Sequence, residues 1–170
     1  TDSATVTVGG DLTATTDDNN GVINLGTLAV DGTMALTTHT GGAATVVNDA
    51  GIDFAASTVR GALTATAVGA VTQTGGALAI TGVTTIVART SDNIVLNNTS
   101  NNFQAAVKIT SGNNVTLVDA NAIDLGTSTV SGSYAVTATA GGNITDSGVL
   151  DITGEATFTV ANSQSVLLTE

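Results

Sequence analysis

Ile123-Asp124-Leu125-Gly126-Thr127-Ser128-Thr129-Val130-Ser131-Gly132 is the stretch that decides the fold, because the chain writes it more than once. Its opening returns in Ile23-Asn24-Leu25-Gly26-Thr27 and Ile52-Asp53-Phe54-Ala55-Ala56, and its close in Val30-Asp31-Gly32 and Val59-Arg60-Gly61. The same closing step recurs as Ile80-Thr81-Gly82 and Ile152-Thr153-Gly154. One local structure is being reused.

A longer period lies over the short one. Ile52 to Ile123 and Gly61 to Gly132 are each a step of 71 in the numbering, and Gly10 to Gly82 and Gly82 to Gly154 are each a step of 72. Val46-Val47-Asn48 likewise returns as Leu117-Val118-Asp119. The chain therefore reads as a single β-solenoid segment over 1–170, with super-repeats at 1–72 and 73–144 and a partial one at 145–170. Inside the unit the glycines step by 22, 29 and 21. That spacing predicts three coils per unit and about seven coils of roughly 21–29 residues in all. Fixed periods of this kind mark stacked units that bury their apolar faces on one another.

The units are strands. The segments are short, rich in β-branched residues and broken by Gly, Asn or Asp every few positions, which disfavours helix. Ala4-Thr5-Val6-Thr7-Val8 and Ala156-Thr157-Phe158-Thr159-Val160 alternate with period two, the mark of a half-buried strand. Asp17-Asp18-Asn19-Asn20-Gly21, Asn97-Asn98 and Gly141-Gly142-Asn143 supply sharp corners. Together these features predict an all-β parallel β-helix. One inward column is expected at Ala14, Leu36, Ala65, Ile86, Val136 and Phe158, flanked by outward Thr, with longer corners at 38–45 and 110–115.

Composition agrees and excludes several functions. The 170 residues contain no Pro, Cys or Trp, and charged residues make up 10% against roughly 25% in ordinary domains. A chain that is 42% hydrophobic can bury a core, so disorder is disfavoured. Arg60, Arg89 and Lys108 face fourteen acids for a net charge of −11, which argues against a nucleic-acid partner. No apolar run reaches the ~20 residues of a membrane span. Nothing at the start reads as a leader, so any export signal is expected to have been removed or to lie outside this segment.

The phrasing at 123–132, Gly141-Gly142-Asn143-Ile144-Thr145-Asp146-Ser147-Gly148 and Asn113-Asn114-Val115-Thr116-Leu117-Val118-Asp119-Ala120 resembles the strand repeats of filamentous-haemagglutinin-type exoproteins and giant bacterial adhesins. The resemblance spans essentially the whole chain. It implies a right-handed parallel β-helix, export to the bacterial surface, and a role in adhesion, biofilm or surface filaments. It carries over no catalytic residue, and no secretion domain of that family is recognisable here.

No chemistry is expected. The only histidine, His39, sits in the turn-like Thr37-Thr38-His39-Thr40-Gly41 and reads as a solvated corner. Arg60, Arg89 and Lys108 occupy different repeat positions and form no column, so no catalytic, cofactor-binding or metal residues are assigned. Corner oxygens at Asp17-Asp18-Asn19-Asn20 and Ser91-Asp92-Asn93 could hold Ca²⁺, although the calcium-roll signature is missing. Asp53 and Asp124, with Asn24, are expected to form an outward ladder. The alternative to a structural shaft is a binding module that uses the Thr or Asp ladders for ice, a divalent cation or a glycan.

Neither the strand-like start at 4–8 nor the close at 165–170 carries a capping device. The expected partner is the fold itself, by end-to-end stacking or continuation of one chain, with cell surface or extracellular matrix beyond it.

Overall fold

The computed structural model describes residues 4–161 and 163–169. Glu170, the last residue of the expected closing segment, lies outside the described residues. Twenty short strands follow one another with no helix among the described residues. They are β1 (Val6–Val8), β2 (Leu12–Thr15), β3 (Ile23–Val30), β4 (Thr33–Thr37), β5 (Ala44–Asn48), β6 (Ile52–Val59) and β7 (Leu63–Ala67). Then come β8 (Val71–Ile80), β9 (Thr84–Val87), β10 (Ile94–Leu96), β11 (Asn102–Phe103), β12 (Val107–Ser111), β13 (Val115–Asp119) and β14 (Ile123–Leu125). The series closes with β15 (Ser128–Val130), β16 (Tyr134–Ala138), β17 (Ile144–Asp146), β18 (Leu150–Ile152), β19 (Ala156–Val160) and β20 (Val166–Leu167).

Every strand pairing among the described residues is parallel, and the chain alternates between two faces. Sheet A runs β1-β3-β5-β7-β9-β12-β14-β17-β20 and sheet B runs β2-β4-β6-β8-β10-β13-β16-β19, with β11 also on β8. A third, short face holds β15 and β18. The result is a β-solenoid of about eight turns, one more than the glycine count suggested. Strands stack about 4.8 Å apart, so nine strands of sheet A make a rod about 38 Å long.

The alternating pattern places aliphatic side chains in a common interior. Met34, Leu36, Phe54, Leu63, Ile80 and Ile86 are fully buried, while the polar residues between them face outward. Each such Leu or Ile contributes about 1.5–3 kcal/mol relative to exposure. Burial weakens towards both ends, where Val8, Leu12, Phe158 and Val160 are only partly covered.

The repeat is half-integral in turns. Elements one super-repeat apart exchange sheets: β5 on A corresponds to β13 on B, β7 on A to β16 on B, and β6 on B to β14 on A. The super-repeat is therefore three and a half turns, where three had been expected. The predicted inward column accordingly divides. Ala14 pairs with Leu36 on sheet B, Ala65 with Ile86 on sheet A, and Val136 with Phe158 on sheet B. All six do point inward or partly inward, so the glycine signal locates the strand correctly and misplaces its face.

The error has a physical origin. A glycine marks a tight corner, and the same corner is used on either side of the prism. The long step from Gly32 to Gly61 leads from β4 on sheet B to β7 on sheet A, which is one and a half turns rather than one long coil. True register partners range only from Val107 with Leu125, a step of 18, to Val87 with Ser111, a step of 24. The coils are thus shorter and more even than the glycine steps implied. The longer corner expected at 110–115 shrinks to 112–114, because β12 continues to Ser111 before turning.

The corner requires glycine because coils touch there. A Cβ on Gly32 would fall 2.5 Å from the Gly10 backbone, and one on Gly82 2.6 Å from Ala62 N. At Gly10 the same Cβ would meet nothing within 4 Å, because no described coil lies beneath it.

Candidate functional site

Polar groups in the solenoid divide into those that stitch coils together, those that form outward ranks, and those that line one lateral groove. The stitching group is the most regular. An acid or amide at a corner or near the start of a strand accepts from the residue one coil further on: Asp11 Oδ1 from Thr33 N (2.8 Å) and Thr33 Oγ1 (2.9 Å), and Asp53 from Thr74 N (2.8 Å) and Thr74 Oγ1 (2.5 Å). Asp124 Oδ2 accepts from Ser147 Oγ at 2.7 Å, and Asn114 Oδ1 from Ser133 N at 3.0 Å and Ser133 Oγ at 2.9 Å. The backbone N–H of Thr33 and then its hydroxyl hold the Asp11 carboxyl below the usual range.

Asp53 and Asp124 thus do equivalent jobs, but not in one ladder. Asp53 lies on sheet B and Asp124 on sheet A with Asn24, because the half-turn offset separates them. Inside the prism, fully buried Asn48 and Asp119 are likewise equivalents. Asn48 Oδ1 accepts from Val30 N at 2.9 Å and its amide donates to Val30 O and Gly51 O. Asp119 accepts from Phe103 N (2.7 Å) and Asn121 N (2.6 Å). Burial still pushes its carboxyl above the ordinary value near 3.8, outweighing those two bonds.

The outward Thr ranks are also shorter than the sequence suggested. Thr45, Thr64 and Thr85 stack on sheet A between Asn24 and Lys108. Thr15, Thr37 and Thr58 stack on sheet B and end at Ala79. The outward positions expected on either side of the inward column are split between faces by the same half turn.

A lateral groove of about 600 Å³ opens on the side of the solenoid. Its wall is the wide corner 38–43, which stacks on a second wide corner, 16–22, through Asn20 N to Thr40 O (2.7 Å) and Ile23 N to Ala43 O (2.9 Å). Each is clipped by the same bond, Thr16 Oγ1 to Gly21 O at 3.1 Å and Thr38 Oγ1 to Gly42 O at 2.7 Å. Asn20 and Gly41 take positive φ (61° and 75°) to close these corners. The next two corners, 60–62 and 81–83, are much tighter, so the wide pair ends in a step.

Thr37, Thr58, Thr81 and Gln104 line this step, one from each of four successive coils, and His39 and Arg60 flank it. Arg60 is tied in by its backbone N–H, which donates to Thr38 Oγ1 at 2.9 Å, leaving the guanidinium without a hydrogen bond or ion pair among the described residues. His39 Nδ1 donates to Asn19 Oδ1 at 2.7 Å. No carboxylate of the described residues lines the groove, although the chain carries fourteen acids.

His39, expected as a solvated corner, is indeed exposed in one, and it lines the same groove as Arg60, which was expected to form no column. The sequence hides this, because their proximity depends on the length of a coil, which the glycine spacing obscures. Arg89 and Lys108 stay apart from it: Arg89 lies in the corner after β9, and Lys108 on β12 of sheet A. Asp17 and Asp18 are exposed on the first wide corner. Asn93 Oδ1 accepts from Asn114 N at 3.1 Å. Among the described residues no group of three or more His, Cys, Asp or Glu could hold a metal ion, and no helix is long and apolar enough to cross a membrane.

No curated protein and no solved structure matches the chain. The family described as repeats of unknown function (DUF5649) matches residues 41–110 and again 112–170. The two matches begin at equivalent points of the super-repeat, at Gly41 before sheet-A strand β5 and at Gly112 before sheet-B strand β13, so one family repeat spans three and a half turns. The chain belongs to the DUF5649 repeat family.

Proposed function

We propose that this chain is a non-catalytic structural segment of an extracellular bacterial shaft, of the kind found in surface adhesins and filaments. The supporting observation is the open stacking edge at either end of the described solenoid. β1 pairs only with β3 and β2 only with β4; β19 pairs only with β16 and β20 only with β17. Val6 at one end and Val166, Leu167 and Leu168 at the other are exposed. A further coil of the same fold would pair a full ring of backbone groups and cover these side chains. That coil comes from another repeat of the same chain or from a second copy stacked head to tail.

Gly10 makes the idea testable. Its position in the repeat is that of Gly82, where a Cβ would collide with the coil beneath, yet at Gly10 the space is open. Sedimentation and electron microscopy of the chain and of Gly10→Ala separate folding from stacking. The shaft reading expects rods that lengthen with concentration, and a Gly10→Ala variant of unchanged melting temperature that associates at least tenfold more weakly. Dispersed particles no longer than ~40 Å at every concentration, with no further repeats in the encoding gene, would remove the proposal. Antibody labelling of intact cells tests the surface location.

A further inference from the structure

We propose that the lateral groove between the wide corner at 38–43 and the outward face of sheet B is a binding site for a short acidic saccharide. Arg60 would engage a carboxylate of the sugar, and the Thr-Gln floor its hydroxyls.

Charge comes first. On a chain of net charge −11, a concavity with no carboxylate in its lining and an unpaired guanidinium at its edge is a local reversal of sign. Arg60 is exposed, but its backbone is fixed to Thr38 Oγ1, and Thr38 itself is buried and clipped to Gly42 O. The base of the side chain is held while its head is free. A planar guanidinium in that setting suits a carboxylate, which it can bind through two parallel N–H···O bonds.

The floor selects the rest of the ligand. Among the described residues the hydroxyls of Thr58 and Thr81 and the amide of Gln104 make no hydrogen bond; Thr37 and Thr58 share one rank, which ends at Ala79, while Thr81 and Gln104 continue upward in the neighbouring rank of Arg60, each coil rising about 4.8 Å. Four coils give a polar track about 14 Å long, the scale of a short oligosaccharide rather than of a single small anion. Sites for apolar ligands are lined mainly by hydrophobic and aromatic side chains, and this one is not. Nucleic acid and other dense polyanions are disfavoured, since one guanidinium cannot offset repulsion from the surrounding acids. A sugar chain with sparse carboxylates meets both conditions.

The half-turn repeat adds a consequence. Arg60 corresponds to Ser131, and the wide corner at 38–43 corresponds to the end of β12 and the short corner after it, on the opposite face. The second copy of the repeat therefore lacks the groove, and the described residues carry one such site rather than two.

Calorimetry and amide chemical-shift mapping on the whole chain test the assignment. The probes are a uronate-bearing trisaccharide, its neutral parent, and inorganic phosphate. The expected result is binding of the acidic trisaccharide at a stoichiometry of one, with shifts at residues 37–41, 58, 60, 81 and 104. Arg60→Gln should weaken it about ten- to a hundredfold, the range for losing a charge-assisted pair. Arg89→Gln should bind as wild type, and the neutral parent at least tenfold more weakly. Three results would overturn the proposal: no binding, equal binding by Arg60→Gln with its fold intact by circular dichroism, or phosphate competing at equal concentration, which would show a simple anion site.

Discussion

Ser57, in β6 of sheet B, and Ser128, in β15 of the short third face, make the same pair of hydrogen bonds one super-repeat apart. Ser57 Oγ accepts from Leu36 N at 3.0 Å and donates to Ala55 O at 2.9 Å; Ser128 Oγ accepts from Ile109 N at 3.2 Å and donates to Gly126 O at 2.8 Å. Leu36 belongs to sheet B and Ile109 to sheet A. Each hydroxyl takes a backbone N–H of the coil beneath and returns a bond to the carbonyl two residues before it. The chain thus repeats its local solution once per super-repeat while its faces alternate.

Removing either hydroxyl leaves a buried N–H without a partner. Ser57→Ala and Ser128→Ala should each lower stability by about 1–3 kcal/mol. Because the two sites share no partner, the double variant should lose the sum of the two to within about 0.5 kcal/mol. Urea denaturation of the three variants checks this, and strongly unequal single losses would refute the equivalence.

The buried Asp119 gives a pH dependence of defined sign. Its folded pKa is raised above the ordinary 3.8, so the folded state holds this proton more tightly than the unfolded state does. Its contribution to stability therefore falls as pH rises from 3.8 through the raised value. Asp119→Asn imports the side chain that the equivalent position 48 already carries and removes this titration. The stability of wild type minus that of the variant should decline as pH rises across that window. A difference independent of pH would contradict the burial of the carboxylate.

Corner glycines should differ by their place in the stack. Gly82→Ala places a methyl 2.6 Å from Ala62 N and should cost about 1–3 kcal/mol, as overpacking does, whereas Gly10→Ala should be neutral in the isolated chain. Thermal melts of the two variants distinguish them, and equal losses would show that the coil spacing is wrong.

Much of the fold is legible in the residues, because period-two strands and glycine corners are set locally. Val136 and Phe158 can be read as inward from the alternation around them alone. The face each strand joins is not local. It depends on how many residues complete a turn, and bulges at Leu25/Leu28 in β3 and Asp53/Ala55 in β6 alter that count without changing the motif. The groove was illegible for the same reason. His39, Arg60 and Gln104 carry no shared pattern, and only the stacking of unequal corners brings them together.

The alternation of faces is the claim most open to direct test, and the absence of cysteine makes pairwise crosslinking clean. Thr64→Cys with Thr85→Cys, and Thr116→Cys with Ala135→Cys, are register partners on sheets A and B, at a spacing that a disulfide spans. Both pairs should crosslink within one chain under mild oxidation, while Thr85→Cys with Ala135→Cys, placed on opposite sheets, should not. Efficient crosslinking of that mixed pair, or failure of the two register pairs, would contradict the three-and-a-half-turn solenoid.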